Sequence, residues 1–281
     1  MTTQPDPVRL VILDLDGVVY RGDEAIEGVA GAIAAVEATG IAVRYATNNS
    51  TVDRAAYVAR LAGMGIRTRR EAVVTSTSAT IEHLRRHRAG VRRILAVGEA
   101  GLVAELREGG YDAVPAEEAA PDGYAGGRLD TPYDAVVVGL DRALTYRRIA
   151  AAATAVRHGA AFVATNADER YPTAAGFLPG AGSAVAAIRV ASGVEPIVIG
   201  KPEPAMFQAI LEEAGIPASA ALVVGDNPAA DIVAAHRAGI RAVLVLTGVA
   251  DEASARALDG ERRPDVIAAS AAELPRLVEP A

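Results

Sequence analysis

Short apolar runs alternate with longer helical patterns in the first and last thirds of this chain, and this alternation constrains the fold most. Continuous apolar strands separated by helices are typical of a parallel sheet covered on both faces. The sequence therefore predicts an α/β fold with one doubly wound core sheet. Its predicted strands are Leu10 to Leu13, Ile41 to Ala46, Val73 to Val74, Pro196 to Gly200, Ala221 to Val224 and Ala242 to Leu246.

The middle of the chain repeats this alternation as a second α/β unit. Its predicted strands are Arg93 to Val97, Ala135 to Val138 and Ala161 to Ala164. We predict a core domain of residues 1–88 and 196–281, with a second α/β domain inserted at residues 89–195.

Composition excludes several classes of protein. The chain has no cysteine, which excludes disulfides, thiolate metal sites and cysteine nucleophiles. A net charge of −7 with mostly scattered arginines argues against nucleic acid as a partner. The polar start has no basic head or apolar segment, and no apolar run reaches the roughly 18 residues of a membrane span. We expect a cytoplasmic protein without a membrane partner.

Two carboxylates directly follow the first predicted strand. Asp14 and Asp16 leave the carboxyl edge of the predicted sheet, where α/β proteins bind ligands. One intervening residue in extended geometry points both side chains the same way. Neighbouring carboxylates raise each other's proton affinity, so one can act as a nucleophile and the other as a general acid. Alone, the pattern Asp-x-Asp-Gly is also found in calcium loops and ordinary turns.

Further polar segments follow other predicted strands. Thr47, Asn48 and Asn49 offer a hydroxyl and turn amides that suit phosphate oxygens. Asp226 follows the fifth strand, and Asp231 lies in the next predicted helix. Each segment could instead cap a helix. Acids that converge at one edge need a cation, and oxygen ligands without His or Cys point to Mg²⁺.

The chain has a single lysine among 28 basic residues, Lys201, and it directly follows the fourth predicted strand. An ammonium is a compact point charge that fits between two anionic oxygens, whereas a guanidinium is a wide planar fork. The position therefore favours a site that needs an ammonium. A composition bias towards arginine would also leave a lone lysine.

Together these residues resemble the haloacid dehalogenase superfamily, and the resemblance runs over the whole chain. It implies that Asp14 is the nucleophile that becomes an aspartyl-phosphate. Asp16 would protonate the leaving alcohol and then activate water, a role that the dehalogenases of this superfamily lack. The fold implied is a Rossmann-like core with an inserted α/β cap domain.

The same resemblance assigns the rest of the core site. Thr47, with Asn48 and Asn49 beside it, would bind phosphate oxygens, and Lys201 would bridge the phosphoryl group and the nucleophile. The Mg²⁺ ligands would be Asp14, Asp226 and the backbone carbonyl of Asp16, with Asp231 supporting the lysine or the metal.

The spacing of the motifs resembles subclass IIA, the nitrophenylphosphatase, phosphoglycolate phosphatase and nucleotide phosphatase group. The interval from Asp14 to Thr47 is too short for a cap, whereas the interval from Thr47 to Lys201 holds the whole central unit. The cap therefore lies between the second and third motifs.

In that group a cap loop selects the leaving group. The matching residues here are Asn166, Asp168, Arg170 and Tyr171, which we expect to bind substrate. Pyridoxal phosphate phosphatases of the group have His where this chain has Tyr171, which argues against that substrate. With the same resemblance, apolar cap strands and sparse charge around Val136 to Val138 suggest a homodimer through the cap.

We therefore expect a Mg²⁺-dependent phosphatase that acts on small phosphorylated metabolites. The alternative is a catalytically weak phosphometabolite-binding protein that uses the same site. A receiver domain is about half this length and carries its acceptor Asp on another strand. A P-loop nucleotidase is excluded because Gly200-Lys201-Pro202 lacks that motif's Ser or Thr and its upstream glycine.

Overall fold

The computed structural model describes residues 6–120, 124, 129–173 and 176–279. The strands are β1 (Leu10–Leu13), β2 (Tyr20–Arg21), β3 (Glu24–Ala25), β4 (Ala42–Thr47), β5 (Val73–Thr75), β6 (Arg93–Val97), β7 (Asp112–Pro115), β8 (Ala135–Val138), β9 (Ala161–Ala164), β10 (Arg170–Thr173), β11 (Gly176–Pro179), β12 (Ile197–Val198), β13 (Ala221–Gly225), β14 (Arg241–Val245) and β15 (Val266–Ala268).

The helices alternate with these strands as the sequence predicts. They are α1 (Val29–Ala38), α2 (Arg54–Gly63), α3 (Ser76–His87), α4 (Ala100–Glu108), α5 (Ala116–Ala119), α6 (Tyr146–Arg157), α7 (Ala181–Ser192), α8 (Ala205–Ala214), α9 (Val233–Arg237), α10 (Glu252–Arg256) and α11 (Leu274–Leu277). Within the described ranges, no helix combines the length and the apolar character that a membrane crossing requires.

Contacts divide the chain into two compact units. The first has the bounds Met1–Thr47, Ala55–Val74 and Lys201–Ala281, and the second has the bounds Asn48–Arg54 and Thr75–Gly200.

The first unit contains a sheet with the strand order β15-β14-β13-β1-β4-β5. Strands β15 to β4 pair in parallel, and Leu13 lies opposite Val224 and Tyr45 in the register of β1 with its neighbours. In this doubly wound order the strand sequence reverses between β1 and β13, and ligands bind at the carboxyl ends of the strands at such a switch point. The predicted fold class is confirmed.

One predicted strand of this sheet lies elsewhere. Ile197–Val198 pairs with β9 in the sheet of the second unit, with Ile197 opposite Val163. The prediction that residues 196–200 belong to the core sheet is therefore wrong. The sixth strand is β15, a three-residue apolar segment in which Ile267 is exposed and Ala268 is buried, so it lacks the length and the continuous burial of a central strand.

The second unit contains a parallel sheet with the order β12-β9-β8-β6-β7. Strand β8 lies between β6 and β9, and its Val136, Val137 and Val138 are fully buried. These three side chains are therefore not available to a partner subunit, and the homodimer through the cap stays a prediction.

Helix α3 lies in the second unit, although the sequence analysis places it with the core. Thr75, which caps α3, donates a hydrogen bond to Glu105 of α4 at 2.9 Å, and Arg85 of α3 donates to the Gly109 carbonyl at 3.1 Å. These contacts explain why the second segment of this unit begins at Thr75. The functional division into a catalytic core and a substrate-selecting cap stays a prediction.

Candidate active site

The site lies at the carboxyl ends of the central strands of the first unit. Asp14 follows β1, Thr47 ends β4, and Asp226 follows β13. The Asp14 amide donates to the Val224 carbonyl at 2.9 Å, which continues the pairing of β1 with β13 to the sheet edge. The topology thus brings residues from distant parts of the sequence to the switch point.

Lys201 lies at the centre of this group and is almost completely buried. Its Nζ contacts Asp14 Oδ1 directly, lies 2.7 Å from Asp231 Oδ1, and donates to the Ala46 carbonyl at 3.3 Å. Burial opposes the charge on Lys201, but the two carboxylates outweigh it and raise the pKa of the ammonium. Lys201 therefore stays charged at physiological pH.

Asp231 is held by the turn that precedes α9. A π-helical turn over Pro228–Ile232 follows β13, and such turns recur at functional sites. Asp231 Oδ2 accepts hydrogen bonds from the backbone amides of Asp226 at 3.2 Å and Asn227 at 3.0 Å. The other carboxylate oxygen thereby faces Lys201.

Asp226 is also buried, and it accepts a hydrogen bond from the Val249 amide at 2.9 Å. Burial raises its pKa to about 7, and the neighbouring Asp231 adds to this effect. Asp226 therefore binds a proton near neutral pH unless a cation replaces it.

Glycines enclose the two acids that follow β13. A Cβ on Gly248 would lie 1.9 Å from Asp226 Oδ2, and one on Gly17, which has φ +81°, would lie 2.5 Å from the same oxygen. The segment containing Gly248 and Val249 is not among the site residues predicted from the sequence. Its position directly after β14, at the same sheet edge, is the signal that identifies it.

Asp14, Asp226 and Asp231 each offer a carboxylate oxygen within 4.8 Å of the others. Burial raises the pKa of Asp14, Lys201 counteracts this, and Asp231 and Asp226 raise it further. Three acids around one ammonium leave an excess of negative charge in a buried site. This donor set fits a hard divalent cation such as Mg²⁺.

Asp16 is more exposed, and its carboxylate is not part of the acid group found in the described residues. Desolvation raises the pKa of Asp16, while Arg60 and the backbone amides of Gly22 and Gly17 lower it. The net direction is upward, which suits a carboxyl group that must hold and then release a proton.

Asn48 and Asn49 belong to the second unit and are engaged there. Asn48 Nδ2 donates to both carboxylate oxygens of Asp168, at 3.0 and 3.2 Å. Asn49 Oδ1 accepts from the amide and hydroxyl of Thr51 at 2.9 and 2.7 Å, as in an Asx turn. The predicted contacts of both asparagines with phosphate stay predictions.

The four predicted cap residues lie on one stretch of the second unit. Asn166 is buried, donates to the Asn48 carbonyl at 2.8 Å and accepts from the Asp168 amide at 3.1 Å. Arg170 and Tyr171 lie on β10, and the Arg170 guanidinium is 5.7 Å from the Phe177 ring centre. Asn166 and Asp168 thus have internal partners, and substrate contact by all four residues stays a prediction.

A buried ammonium held between carboxylates at the switch point of a doubly wound sheet is suited to a hydrolase that binds anionic groups. A family model described as haloacid dehalogenase-like hydrolase matches residues 11–112, and one described as HAD-hydrolase-like matches residues 198–274. The chain belongs to the haloacid dehalogenase-like hydrolases, and the subclass IIA layout inferred from motif spacing fits its relatives.

Several relatives match nearly the whole chain. The 5'-nucleotidase YutF of Bacillus subtilis is 34% identical over 85% of this chain and 87% of its own length. The structure of a 4-nitrophenylphosphatase from Thermotoga maritima has 32% identity and a TM-score of 0.85, covering 97% of this chain and 98% of its own. A glycerol phosphate phosphatase from Mycobacterium tuberculosis, in complex with magnesium, has 34% identity and a TM-score of 0.82, covering 95% of this chain and 77% of its own.

Proposed function

We propose that this protein is a Mg²⁺-dependent phosphatase that hydrolyses small phosphomonoesters through an aspartyl-phosphate. The observation that carries the proposal is the contact of buried Lys201 with both Asp14 and Asp231. A carboxylate is a weak nucleophile towards a dianionic phosphate unless a cation neutralises the repulsion, and Lys201 supplies this charge at the attacking group.

The reaction would have two balanced steps. Asp14 attacks phosphorus while the ester oxygen leaves with a proton from Asp16, which forms an acyl phosphate and a free alcohol. Asp16, now a carboxylate, takes a proton from water as that water attacks phosphorus. This step releases inorganic phosphate and restores both acids. Thr47 would donate its hydroxyl to a phosphoryl oxygen.

Asp14, Asp226 and the Asp16 carbonyl would hold Mg²⁺, with Asp231 beside them. The buried acid group fits this ion, and a magnesium complex is known for the Mycobacterium tuberculosis relative. When bound, Mg²⁺ supplies positive charge that offsets the carboxylates and the phosphoryl oxygens.

The substrate class proposed is a small phosphorylated metabolite. Named relatives act on nucleotide, nitrophenyl and glycerol phosphates, so the phosphoryl group is common to them and the leaving group varies. We assign selection of the leaving group to Asn166, Asp168, Arg170 and Tyr171. A screen of phosphorylated metabolites ranked by kcat/KM tests this assignment, since Arg170→Ala should change the ranking.

The proposal is tested by hydrolysis of p-nitrophenyl phosphate with and without Mg²⁺. We expect turnover that requires Mg²⁺ and disappears in Asp14→Asn, which keeps the shape of the side chain and removes the nucleophile. Wild-type turnover no higher than that of Asp14→Asn would reject the phosphatase function.

A further inference from the structure

A short hairpin follows Asp16 in the first unit. We call residues 17–25, which contain β2 and β3, the flap. Asp16 forms an isolated β-bridge with Tyr20, and the Gly17 amide donates to the Tyr20 carbonyl at 2.7 Å. The backbone of the proposed general acid is therefore joined directly to the flap.

Arg60 of α2 contacts the flap at three points. Its guanidinium carbon lies 3.9 Å from the centre of the Tyr20 ring, and its Nη2 donates to the Gly22 carbonyl. The same nitrogen lies 3.2 Å from Asp23 Oδ1. Because the Asp23 side chain is fully exposed, that ion pair contributes little. The contacts with Tyr20 and Gly22 are the important ones.

The Tyr20 contact is partly sheltered from water, because Tyr20 is only 3% exposed although the Arg60 side chain is 33% exposed. A cation over an aromatic face is attracted more strongly when the pair is desolvated. Gly22 has φ +54°, a left-handed conformation. Glycine reaches this conformation easily but leaves it just as easily, because it has no Cβ to restrict its backbone. Arg60 thus restrains the backbone at Gly22, where the flap has the most conformational freedom.

We propose that Arg60 is a positioning residue for Asp16: it fixes the flap through Tyr20 and Gly22, and the flap holds the Asp16 carboxyl where it protonates the leaving group. The inference rests on the proposed function, since it concerns the acid step of that reaction.

Two hydrogen bonds that do not involve Arg60 hold the other side of the flap. Arg21 Nε donates to the Thr247 carbonyl, and the Thr247 hydroxyl donates to the Gly17 carbonyl at 2.5 Å. Loss of Arg60 should therefore loosen the region of Tyr20 and Gly22 without releasing the whole hairpin.

The test compares two leaving groups. Nitrophenolate is a stable anion that departs without a proton, whereas an alkoxide needs one. We would measure kcat/KM, which covers the steps up to departure of the leaving group, with p-nitrophenyl phosphate and with an alkyl phosphate such as glycerol 3-phosphate. In Arg60→Met, we expect the loss with the alkyl phosphate to exceed the loss with the aryl phosphate by about tenfold or more.

Two further variants make the result specific. Arg60→Lys keeps a cation that can lie over Tyr20 and donate to Gly22, so it should remove most of the extra loss with the alkyl phosphate and return the ratio of the two rates towards that of the wild type. Arg67→Met removes an exposed arginine of the same unit and should leave both rates unchanged. The ratio of the two rates within one preparation does not depend on the amount of folded enzyme.

An equal loss with both substrates in Arg60→Met would overturn the inference and show only a structural role. Rates like those of the wild type would overturn it as well. Wild-type protein that hydrolyses neither substrate would instead reject the proposed function, and the inference with it.

Discussion

At the scale of single residues, Lys201 occupies a position that suits an ammonium and excludes a larger cation. Its side chain is 4% exposed and contacts oxygens of Asp14, Asp231 and Ala46. A guanidinium spreads its charge over a plane and needs acceptors at the spacing of its fork. Three acceptors around one nitrogen do not provide that arrangement.

We therefore expect Lys201→Arg to lose most phosphatase activity, by about 100-fold or more in kcat, although the formal charge is kept. Steady-state kinetics with p-nitrophenyl phosphate measure this loss. Arg67→Lys, the reverse exchange at an exposed position, is the matched control and should behave like the wild type. Near-normal kcat in Lys201→Arg would contradict the argument for an ammonium.

The second prediction for a single residue concerns Asp226 and the pH dependence of stability. Its pKa of about 7 in the metal-free fold lies above its ordinary value of 3.8, so the folded state binds the proton more tightly than the unfolded state. The contribution of Asp226 to stability is therefore complete below about pH 4 and is lost as the pH rises towards 7. Mg²⁺ competes with this proton, so stabilisation by Mg²⁺ should grow across the same interval.

Thermal unfolding at about pH 5 and about pH 8, with and without Mg²⁺, tests whether stabilisation by Mg²⁺ grows with pH. We expect the Mg²⁺-induced rise in Tm to be larger at the higher pH. Asp226→Asn removes the buried charge, so the metal-free variant should melt several degrees above metal-free wild type at about pH 8 and should respond little to Mg²⁺. An equal Mg²⁺ effect at both pH values would contradict the assignment.

At the scale of elements, the sequence predicts the central strands and the edge strand β5, but it misses the edge strands β7 and β15 and assigns β12 to the wrong sheet. β1 and β13 are buried on both faces, so their residues form continuous apolar runs, and the polar residues that follow them mark the site. β15 is short and half exposed, and β12 is apolar but pairs in the other sheet. Pairing partners depend on tertiary contacts that an apolar run does not encode.

The dependence on tertiary contacts also limits what the sequence predicts about the active site. Asp14, Thr47 and Asp226 each follow or end a strand of the first unit's sheet, so one rule about sheet edges brings them together. Lys201 follows β12, which pairs in the other sheet, so that rule does not account for its position. Arg60 lies inside an amphipathic helix, where arginine is ordinary, and its contact with the flap follows only from the packing of α2.

Helix α4 contains a buried carboxylate, Glu105. Its contacts predict how strongly its removal destabilises the protein. Glu105 is 1% exposed, lies 2.7 Å from Arg54 Nε and accepts from Thr75 Oγ1 at 2.9 Å. Removal of one partner from a buried pair leaves the others unsatisfied, so Glu105→Ala should lower the free energy of unfolding by about 3 kcal/mol. Urea unfolding measures this change.

Glu82→Ala is the control for Glu105→Ala. Glu82 pairs with Arg86 one turn along α3, but both side chains are well exposed. Such a pair contributes only about 0.3 to 0.5 kcal/mol. Similar losses in the two variants would show that the burial of Glu105 does not matter.

At the scale of the whole molecule, the two units have separate hydrophobic cores. Within the described residues, the cluster around β1 and β13 and the cluster around β8 and β9 have no member in common. The acid group that we assign to Mg²⁺ lies entirely in the first unit. A ligand stabilises only those states in which its site is formed, so local opening of the second unit does not release the metal.

Hydrogen exchange followed by mass spectrometry should show this difference. On addition of Mg²⁺, we expect slower exchange for the amides of β1 and β13 and little change for those of β8 and β9. The same measurement on Asp226→Asn should show no slowing in either group. Equal protection of both groups in the wild type would mean that the two cores open as one cooperative unit, whereas protection confined to β8 and β9 would place the metal in the other unit.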